Sequence, residues 1–311
     1  MYKYIFGPVI SRRLGTSLGI DLVRMKTCTL NCAYCECGKT TRLTTERREY
    51  VPVDVVIDEI RQFMDEAETP PDYVTFSGSG EPTLNSRIGD VIQAIKQSYP
   101  TQNVAVLTNS TLLHLKEVQD ALIPADLVLP SLDAVSLEAF EHILSPHPDV
   151  TPELVLKGIT EFSARYTGRL VIEIFIVPGV NDTDEELSLL RDACQKIMPD
   201  GIQINYLDRP GAFDWVKPAT AAELDHVERA LAGLPVQIIK RPDYGTMASG
   251  NISRLEQKIL STVERRPSTL DDLVFSLGMQ PAELRTFIDR LVDEQKLVCE
   301  RGKRGFFYRK G

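Results

Sequence analysis

Three cysteines lie close together in the stretch Thr27-Cys28-Thr29-Leu30-Asn31-Cys32-Ala33-Tyr34-Cys35, with C-x3-C-x2-C spacing. The apolar run of residues 18–23 that precedes them is typical of a strand. A cubane iron–sulfur cluster, [4Fe–4S], takes four thiolate ligands. Three cysteines from one loop would leave one iron with an open coordination position, where a substrate or a cofactor can bind.

Zinc and a disulfide are the alternative uses of these cysteines. Structural zinc sites usually combine two close pairs of ligands, and the sequence has no second C-x2-C pair and no H-x3-H pair. Disulfide frameworks are typical of short secreted chains, whereas this chain has six cysteines in 311 residues and a start unlike a signal peptide. The spacing favours a cluster held by Cys28, Cys32 and Cys35, with Cys37 as a bystander.

A glycine-rich turn, Ser77-Gly78-Ser79-Gly80-Glu81-Pro82-Thr83, follows about forty residues after the cysteines, at the end of the next predicted strand. Glycine adopts backbone conformations that other residues avoid, so such a turn can bring its N–H and C=O groups close to a ligand. Gly78, Ser79 and Gly80 are therefore predicted to bind a ligand. Glu81 either binds through its carboxylate or orients the turn, and we prefer the second role.

These motifs resemble the radical S-adenosylmethionine (radical SAM) superfamily, including the aromatic residue before the last cysteine. Within it, the chain is most similar to the Fe–S oxidoreductases grouped with wyosine-tRNA synthesis, over about residues 1–245. The segments that carry this closer likeness are Gly7-Pro8-Val9 with Ser11-Arg12-Arg13-Leu14-Gly15, Gly38-Lys39-Thr40-Thr41, and Asn205-Tyr206-Leu207-Asp208-Arg209-Pro210-Gly211.

The resemblance implies a mechanism and two cofactors, a [4Fe–4S] cluster and SAM. The open iron would chelate the amino and carboxylate groups of SAM, and the glycine-rich turn would bind the amino group. An external one-electron reductant of the flavodoxin or ferredoxin type would supply an electron. A C–S bond of SAM would then break homolytically and give a 5′-deoxyadenosyl radical.

The elements that must position these motifs alternate between strands and helices. Counting the run of residues 18–23 as the first strand, the second to seventh strands are residues 73–76, 104–107, 127–129, 170–177, 202–206 and 236–239. Helix-like segments lie between them, among them residues 113–122 and a segment that Thr151 caps and Pro152 opens. This alternation predicts an α/β fold with right-handed crossovers and a parallel sheet. Polar residues follow nearly every strand, which favours a partial (β/α)6 barrel over a doubly wound sheet, because barrel enzymes assemble their sites at that end. The resemblance implies the same barrel.

The ends of the third and fourth strands supply further candidate cofactor-binding residues. Asn109 follows the third strand, and Ser131 and Asp133 follow the fourth. The resemblance implies that they hydrogen-bond the ribose or the methionyl carboxylate of SAM. The alternatives are an Asx turn for Asn109 and a helix cap for Asp133. Tyr34, by the same resemblance, shields the cluster or stacks on adenine, and otherwise packs the loop.

Glu173 lies in the otherwise apolar run of residues 171–176 on the fifth strand. A carboxylate there must be paired, protonated or turned into the barrel, where it could act on substrate. Gln203 and Asn205 occupy alternating positions on the sixth strand, so they share one face and can line the same space. Arg209 then either meets an anionic group or forms a surface salt bridge.

Composition and charge narrow the class of protein. No apolar run approaches the roughly 20 residues that a membrane-spanning helix needs, and cysteines gathered for metal point to a reducing cytoplasm. Residues 1–251 carry 23 Lys and Arg against 35 Asp and Glu, whereas residues 252–311 carry 12 against 9. An acidic body argues against an extended track for nucleic acid.

The small and turn-forming residues 242–251 predict a linker between a domain of residues 1–241 and a second domain of residues 252–311. In the second, three helix-like segments precede two strand-like runs that form a hairpin around a basic turn, and Thr269 is the predicted cap of the second helix. This is the order of a winged helix-turn-helix. Its candidate recognition helix mixes acidic and basic residues: Glu283, Asp289, Asp293 and Glu294 beside Arg285 and Arg290. Protein docking or substrate presentation is therefore favoured over DNA binding, which needs clustered positive charge.

Taken together, the residues and the resemblance predict a radical SAM enzyme that abstracts hydrogen from its substrate. Cys28, Cys32, Cys35 and Glu173 are its predicted catalytic residues. The substrate is a peptide, an RNA or a small molecule that the sequence does not identify. Two alternatives remain: a cluster-bearing regulator that senses redox state or SAM and binds DNA, and a tRNA-modifying enzyme of the wyosine type.

Overall fold

Strands and helices alternate along most of the chain in a computed structural model that describes residues 2–11, 13–239, 252–277, 279, 281–302 and 304–311. In chain order the strands are β1 (Ile5–Ser11), β2 (Gly15–Ile20), β3 (Thr27–Cys28), β4 (Arg42–Leu43), β5 (Tyr73–Phe76), β6 (Asn103–Thr108), β7 (Leu127–Pro130), β8 (Arg169–Ile176), β9 (Gly201–Tyr206), β10 (Val236–Ile238), β11 (Ser268–Thr269), β12 (Leu297–Gly302) and β13 (Gly305–Lys310). The helices are α1 (Val53–Glu66), α2 (Ile88–Ser98), α3 (Lys116–Leu122), α4 (Leu137–Leu144), α5 (Pro152–Ser163), α6 (Asp184–Ile197), α7 (Ala221–Ala230), α8 (Ile252–Arg265), α9 (Leu270–Leu277) and α10 (Pro281–Asp293).

The main sheet has the strand order β1-β2-β5-β6-β7-β8-β9-β10 in the described part of the chain. From β2 to β10 every neighbouring pair is parallel, and β1 alone pairs antiparallel with β2. Helices occupy the crossovers between successive parallel strands. Such crossovers are needed because the chain must return to the other end of the sheet before it can form the next parallel strand. The predicted α/β fold with a parallel sheet is confirmed.

Strand β1 is an element that the sequence pattern did not predict. Pro8 lies within it, and a proline in a run argues against a strand because it has no N–H to donate to the ladder. The register of β1 against β2 shifts between Phe6 and Val9, so Pro8 lies at an irregularity of an edge strand. That is the place in a sheet where proline is tolerated.

Side chains alternate between the two faces of the sheet along each strand, and each face contributes to an apolar cluster. Residues such as Leu18, Val74 and Val106 are fully buried in the main core between sheet and helices. On the other face, here called the inner face, five residues form a second apolar cluster: Leu14, Ala105, Leu127, Leu129 and Val171. Nearer the carboxyl ends of the strands, polar side chains such as Glu173 and Asn205 share this face.

Local capping explains where two of the helices begin. Ser136 accepts a hydrogen bond from the Ala139 N–H at the start of α4. Thr151 accepts one from the Leu154 N–H, with Pro152 in the first turn of α5, as predicted. Helix α3 begins at Lys116, three residues later than expected, because residues 110–115 form hydrogen-bonded turns.

Residues 252–311, here called the C-terminal unit, have a hydrophobic cluster of their own, which includes Ile259, Leu273, Leu284, Ile288 and Leu297. Strands β12 and β13 form the predicted hairpin, and β11 pairs with β13. Thr269 caps α9, also as predicted, by accepting from the Asp272 N–H. The predicted linker, residues 242–251, lies outside the described residues. None of the described helices is both long enough and apolar enough to cross a membrane.

Candidate cluster and cofactor site

The three cysteines lie in a loop that is fixed by hydrogen bonds to distant parts of the chain. Cys28 belongs to β3, which pairs with β4. The backbone N–H groups of Asn31 and Ala33 donate to carbonyls at the end of α4, each at 2.8 Å. Cys28, Cys32 and Cys35 are all free and half-buried. The loop is therefore held by the protein itself.

Two nitrogen donors are directed at the cysteine sulfurs. The Lys26 Nζ lies 3.0 Å from the Cys35 Sγ, and the Asn109 Nδ2 lies 3.4 Å from the Cys28 Sγ. A hydrogen bond with Cys37 and the charge of Lys26 lower the pKa of Cys35 to about 5. Burial, and then the Glu81 carboxylate, raise the pKa of Cys28 to about 11.

The donor set fits an iron–sulfur cluster. Three thiols from one loop, with a cation and an amide directed at sulfur, suit thiolate ligands, because nearby positive charge and hydrogen bonds favour the thiolate. Burial and the charges of Cys28 and Cys35 raise the pKa of Cys32. In the described part of the chain, no three His, Cys, Asp or Glu side chains are grouped as for a single metal ion.

The glycine-rich turn packs directly on the cysteine loop. The Lys26 N–H donates to the Ser79 carbonyl at 2.7 Å, and the Glu81 N–H donates to the Thr27 carbonyl at 3.2 Å. A Cβ atom on Gly80 would lie 1.9 Å from the Thr27 carbonyl oxygen, so no larger residue fits there. The two motifs that the sequence analysis singled out thus form one site.

Asp21, which the sequence analysis missed, anchors the other side of this turn. Its carboxylate accepts from the Ser79 hydroxyl at 2.6 Å and from the Ser79 N–H at 3.3 Å. Gly78 has φ of +126°, and a Cβ there would lie 2.9 Å from the Asp21 carboxylate. Burial raises the pKa of Asp21. Strand β2 ends at Ile20, so Asp21 follows a strand end and is not inside the predicted strand of residues 18–23.

The Glu81 side chain turns away from solvent and organises the ends of two loops. Its carboxylate is buried and accepts from the N–H and hydroxyl of Thr83, from the Thr108 hydroxyl and from the Asn109 N–H, at 2.6 to 3.0 Å. Burial raises its pKa, against the effect of these donors. This geometry agrees with the orienting role that we preferred for Glu81.

Tyr34, Asn109, Ser131 and Asp133 line one small cavity beside the cysteine loop, with a volume of about 10 Å³. The Tyr34 hydroxyl donates to Asp133. Its ring stacks on Phe175 at a centroid distance of 3.8 Å, so one face of the ring is covered. Asp133 also accepts from the Phe175 N–H at 2.7 Å and caps no helix, since Ser136 caps α4. Burial raises the pKa of Asp133 to about 7.

Asn109 forms the Asx turn that was one alternative for it, and its side-chain amide also reaches the cysteine loop. Its Oδ1 accepts from the Thr111 N–H at 3.2 Å, which is an Asx turn, and its Nδ2 donates to Thr29 and toward the Cys28 sulfur. The Ser131 N–H donates to the Thr108 carbonyl at 2.9 Å, which links the end of β7 to the end of β6. The ends of β6 and β7 and the cysteine loop therefore all contribute to the wall of the small cavity.

Glu173 lies on the inner face and is paired. It forms an ion pair with Arg13, and it accepts from the Asn205 Nδ2 at 3.4 Å. Gln203 lies beside Glu173 in the register of β8 and β9, and its Oε1 is buried without a hydrogen-bond partner in the described residues. Gln203 and Asn205 share this face, as predicted.

The C-terminal unit contacts the loop that follows β9 through a buried network of charges. Arg209 pairs with Glu36 at 3.1 Å and with Asp272 at 3.2 Å. Arg304, next to the tip of the β12–β13 hairpin, pairs with Asp272 at 2.9 Å and with Asp208 at 3.1 Å. Arg209 forms salt bridges, as one alternative for it expected, but the expected surface position is wrong because Arg209 is buried.

The sequence analysis assigned no role in the site to Asp21, Lys26 or Arg13. Of these three residues, only Asp21 lies in a sequence pattern that could have identified it. Asp21 is a lone acidic residue in an apolar run, the same signal that identified Glu173. No sequence pattern distinguishes Lys26 or Arg13, because each is defined as a site residue only by its contact with another segment, Lys26 with Cys35 and Arg13 with Glu173.

Several known proteins resemble this chain in sequence or in fold. A UPF0026 protein of Helicobacter pylori is 35% identical over 270 residues, which are 86% of each chain. A Brachyspira hyodysenteriae protein named GTPase Obg is 32% identical over 296 residues, and the chain spans 43% of its length. The crystal structure of Streptococcus suis SuiB bound to S-adenosylmethionine has the same fold at 16% identity, with a TM-score of 0.52 over 69% of this chain and 48% of SuiB. The family model described as the Radical SAM superfamily matches residues 22–190, more than half of the chain, and the chain therefore belongs to that superfamily.

Proposed function

We propose that this protein is an enzyme that holds a [4Fe–4S] cluster on Cys28, Cys32 and Cys35 and binds SAM at the turn of residues 78–81. When bound, these cofactors supply a 5′-deoxyadenosyl radical that removes hydrogen from the substrate. The radical SAM family and the SAM-bound SuiB structure support the cofactors. An external flavodoxin or ferredoxin would donate the electron, in the reducing environment of the cytoplasm.

One observation carries this proposal: the cysteine loop and the glycine-rich turn are built as a single unit. Backbone hydrogen bonds join Lys26 to Ser79 and Thr27 to Glu81, and Gly80 leaves no space between the two segments. A ligand on an open iron at the cysteines would therefore lie next to the half-buried backbone of Gly78. Binding at both places at once would fix its orientation.

The remaining residues would shape the space around the reaction. Lys26 and Asn109 would stabilise thiolate charge at Cys35 and Cys28. Glu81 would keep the turn and the end of β6 in place. We propose that Glu173 acts toward the substrate from the inner face, where Arg13 and Asn205 hold it.

Reconstitution of the chain with iron and sulfide without oxygen tests the proposal. We expect a reduced-cluster signal in electron paramagnetic resonance that changes when SAM is added, and 5′-deoxyadenosine by chromatography. Cys32→Ala should abolish both. Cys299→Ala changes an exposed cysteine in β12 and is the matched control, with both readouts retained. A cluster signal that SAM does not change would contradict the proposal.

We further propose that the sheet forms the partial (β/α)6 barrel and that the C-terminal unit, residues 252–311, is a winged helix joined by a linker at residues 242–251. The order of its helices and strands, and the strand order β11-β13-β12, support the winged helix. Arg304 near the hairpin tip is engaged by Asp272, and Arg290 by Glu256, which favours docking on protein over DNA binding. A DNA-binding regulator is thus the weaker alternative.

A wyosine-type tRNA modification is the second enzymatic alternative. Its support is the likeness of the segments 7–15, 38–41 and 205–211 to that group. In the structure, Arg13 and Arg209 from these segments are both paired with carboxylates, and neither is left for a phosphate backbone. Incubation of the reconstituted enzyme with tRNA and SAM, followed by nucleoside analysis, would detect this activity directly.

A further inference from the structure

A cavity of about 280 Å³ lies between the inner face of the sheet and the C-terminal unit. The first hairpin, β1–β2, forms one wall, and helices α8 and α9 form another. Gly78 of the glycine-rich turn and Cys37 lie at its edge. The cavity therefore reaches the site at which we propose that SAM binds.

The walls of this cavity are mixed in character. Leu14 and Leu107 supply an apolar part that continues into the apolar cluster of the inner face. The hydroxyls of Ser17 and Thr75 are 2.7 Å apart and bond each other. Small-molecule sites combine such apolar walls with a few placed polar groups, and this volume is close to the lower end of their range.

Two of the arginines at the cavity are already paired with carboxylates of the protein. Arg13 pairs with Glu173, and Arg209 pairs with Glu36 and Asp272. These pairs fix the walls, and their charges are matched within the protein. They leave little attraction for a charged ligand.

Arg265, from the last turn of α8, differs from these two. Its Nη1 donates to the Ser261 carbonyl of its own helix at 3.0 Å, and its guanidinium lies 4.1 Å over the Phe6 ring. Its Nε is buried without a hydrogen-bond partner in the described residues. Asp21, the nearby carboxylate across the cavity edge, already accepts two bonds from Ser79. A buried donor without a partner is costly unless a ligand completes it.

We propose that this cavity is the substrate site and that Arg265 receives an anionic group, a phosphate or a carboxylate, of a small-molecule substrate. The inference rests on the proposed function, because it places the reacting part of that substrate beside Gly78. It also gives the C-terminal unit a role in specificity. Without α8, the cavity would lose one wall and its available arginine.

Calorimetric titration with inorganic phosphate and with succinate tests the proposal and separates the two anions. The full-length reconstituted protein with SAM should bind one of them. Because a hydrogen bond to a charged group is lost, Arg265→Gln should weaken that binding about tenfold or more. Arg265→Lys, which keeps the charge, should lie between. Arg285→Gln changes an exposed arginine on α10 and should bind like the wild type.

The same titration on protein without the cluster separates this proposal from the proposed function, since the cavity is built by the protein alone. Anion binding by the protein without the cluster would sustain the site. A failure of the reconstituted protein to form a cluster that responds to SAM would contradict the proposed function and leave this result unchanged. The site is overturned if neither anion binds the wild type, or if Arg265→Gln binds it equally well. A loss of SAM affinity in Arg265→Gln, with anion binding unchanged, would overturn it too, since the arginine would then serve the cofactor.

Discussion

The contact between Asp21 and Ser79 shows how one side chain sets the position of the backbone at which we propose that SAM binds. Ser79 contributes both its N–H and its hydroxyl to a single carboxylate. The same pattern occurs at the other end of β2, where Asp72 accepts from the N–H and the hydroxyl of Thr16, each at 2.7 Å. The Asp21–Ser79 contact is partly buried and holds the glycine-rich turn, whereas the Asp72–Thr16 contact is exposed and lies at the start of β2. The second contact can therefore serve as a control for the first.

Asp21→Ala should weaken SAM binding about fivefold to tenfold, because the turn loses two hydrogen bonds and the buried Ser79 hydroxyl is left unsatisfied. The cluster should still form, since Asp21 touches no cysteine. Equilibrium binding of SAM to the reconstituted protein, with the resonance signal of the cluster measured in parallel, checks this. Asp21→Asn keeps one acceptor and should be intermediate.

Asp72→Ala is the matched control for that experiment. It removes the same two bonds at an exposed place, so SAM affinity should stay at the wild-type value while stability falls slightly. Equal losses of SAM affinity in both variants would show that strand β2 as a whole, rather than the Asp21 contact, governs the turn.

The sequence identifies candidate site residues where the pattern is local. The spacing of Cys28, Cys32 and Cys35 and the turn of residues 78–81 are readable because each motif lies in one short segment. Arg13 and Glu173 are 160 positions apart, and neither segment has a sequence pattern that indicates its pairing with the other. Arg265 is further still from the turn it faces.

At the scale of elements, the parallel strands were predictable because a strand buried on both faces is a short apolar run between helices. Strand β5 has the predicted bounds, Tyr73–Phe76. Strand β1 was missed because Pro8 interrupts it, and its pairing depends on an irregular register with β2. The start of α3 was placed too early because apolar residues in a hydrogen-bonded turn look like the first turn of a helix.

The packing of the glycine-rich turn on the cysteine loop makes a prediction at this scale. Gly80→Ala should reduce both cluster incorporation and SAM binding, because its Cβ would meet the Thr27 carbonyl and force the segments apart. We expect a loss of stability of about 1 to 3 kcal/mol, typical of overpacking. Iron and sulfide content after reconstitution, with thermal unfolding, measures both effects.

Gly201→Ala is the control for the glycine experiment. A Cβ at Gly201 would meet its nearest neighbours at 3.8 Å, which is ordinary van der Waals contact. Iron content and SAM binding should then match the wild type. Normal cluster content in Gly80→Ala would show that the two segments can separate without loss of the site.

At the scale of the whole molecule, Asp272 joins the C-terminal unit to the rest of the chain. It lies between Arg209, which follows β9, and Arg304, next to the hairpin tip. Asp272→Asn would remove the carboxylate that the two arginines share, while Arg209 keeps Glu36 and Arg304 keeps Asp208. The loss of stability should therefore be smaller than about 3 to 5 kcal/mol, the cost of leaving a buried charge without any partner. Hydrogen exchange of the amides in β1 and α9, which pack together, should still speed up.

Asp271→Asn, at the exposed neighbouring position of the same helix, should leave this exchange unchanged. If both variants exchange alike, the arginine network does not hold the C-terminal unit. The proposed substrate cavity is bounded by α8 and α9, so a loosened unit should also weaken the anion binding described above.

The same network predicts a dependence on pH. Burial alone would raise the pKa of Asp272, but Arg209 and Arg304 outweigh it and hold that pKa well below its ordinary value of 3.8. A carboxylate whose pKa is lowered by folding contributes its full stabilisation above the ordinary pKa and loses it as the pH falls toward the folded value. Amide protection in α9, corrected for intrinsic rates, should be constant from neutral pH to about pH 5 and should fall below about pH 4. In Asp272→Asn that decline should be much smaller, because the titrating group is gone; an equally steep decline in the variant would place the acid sensitivity elsewhere.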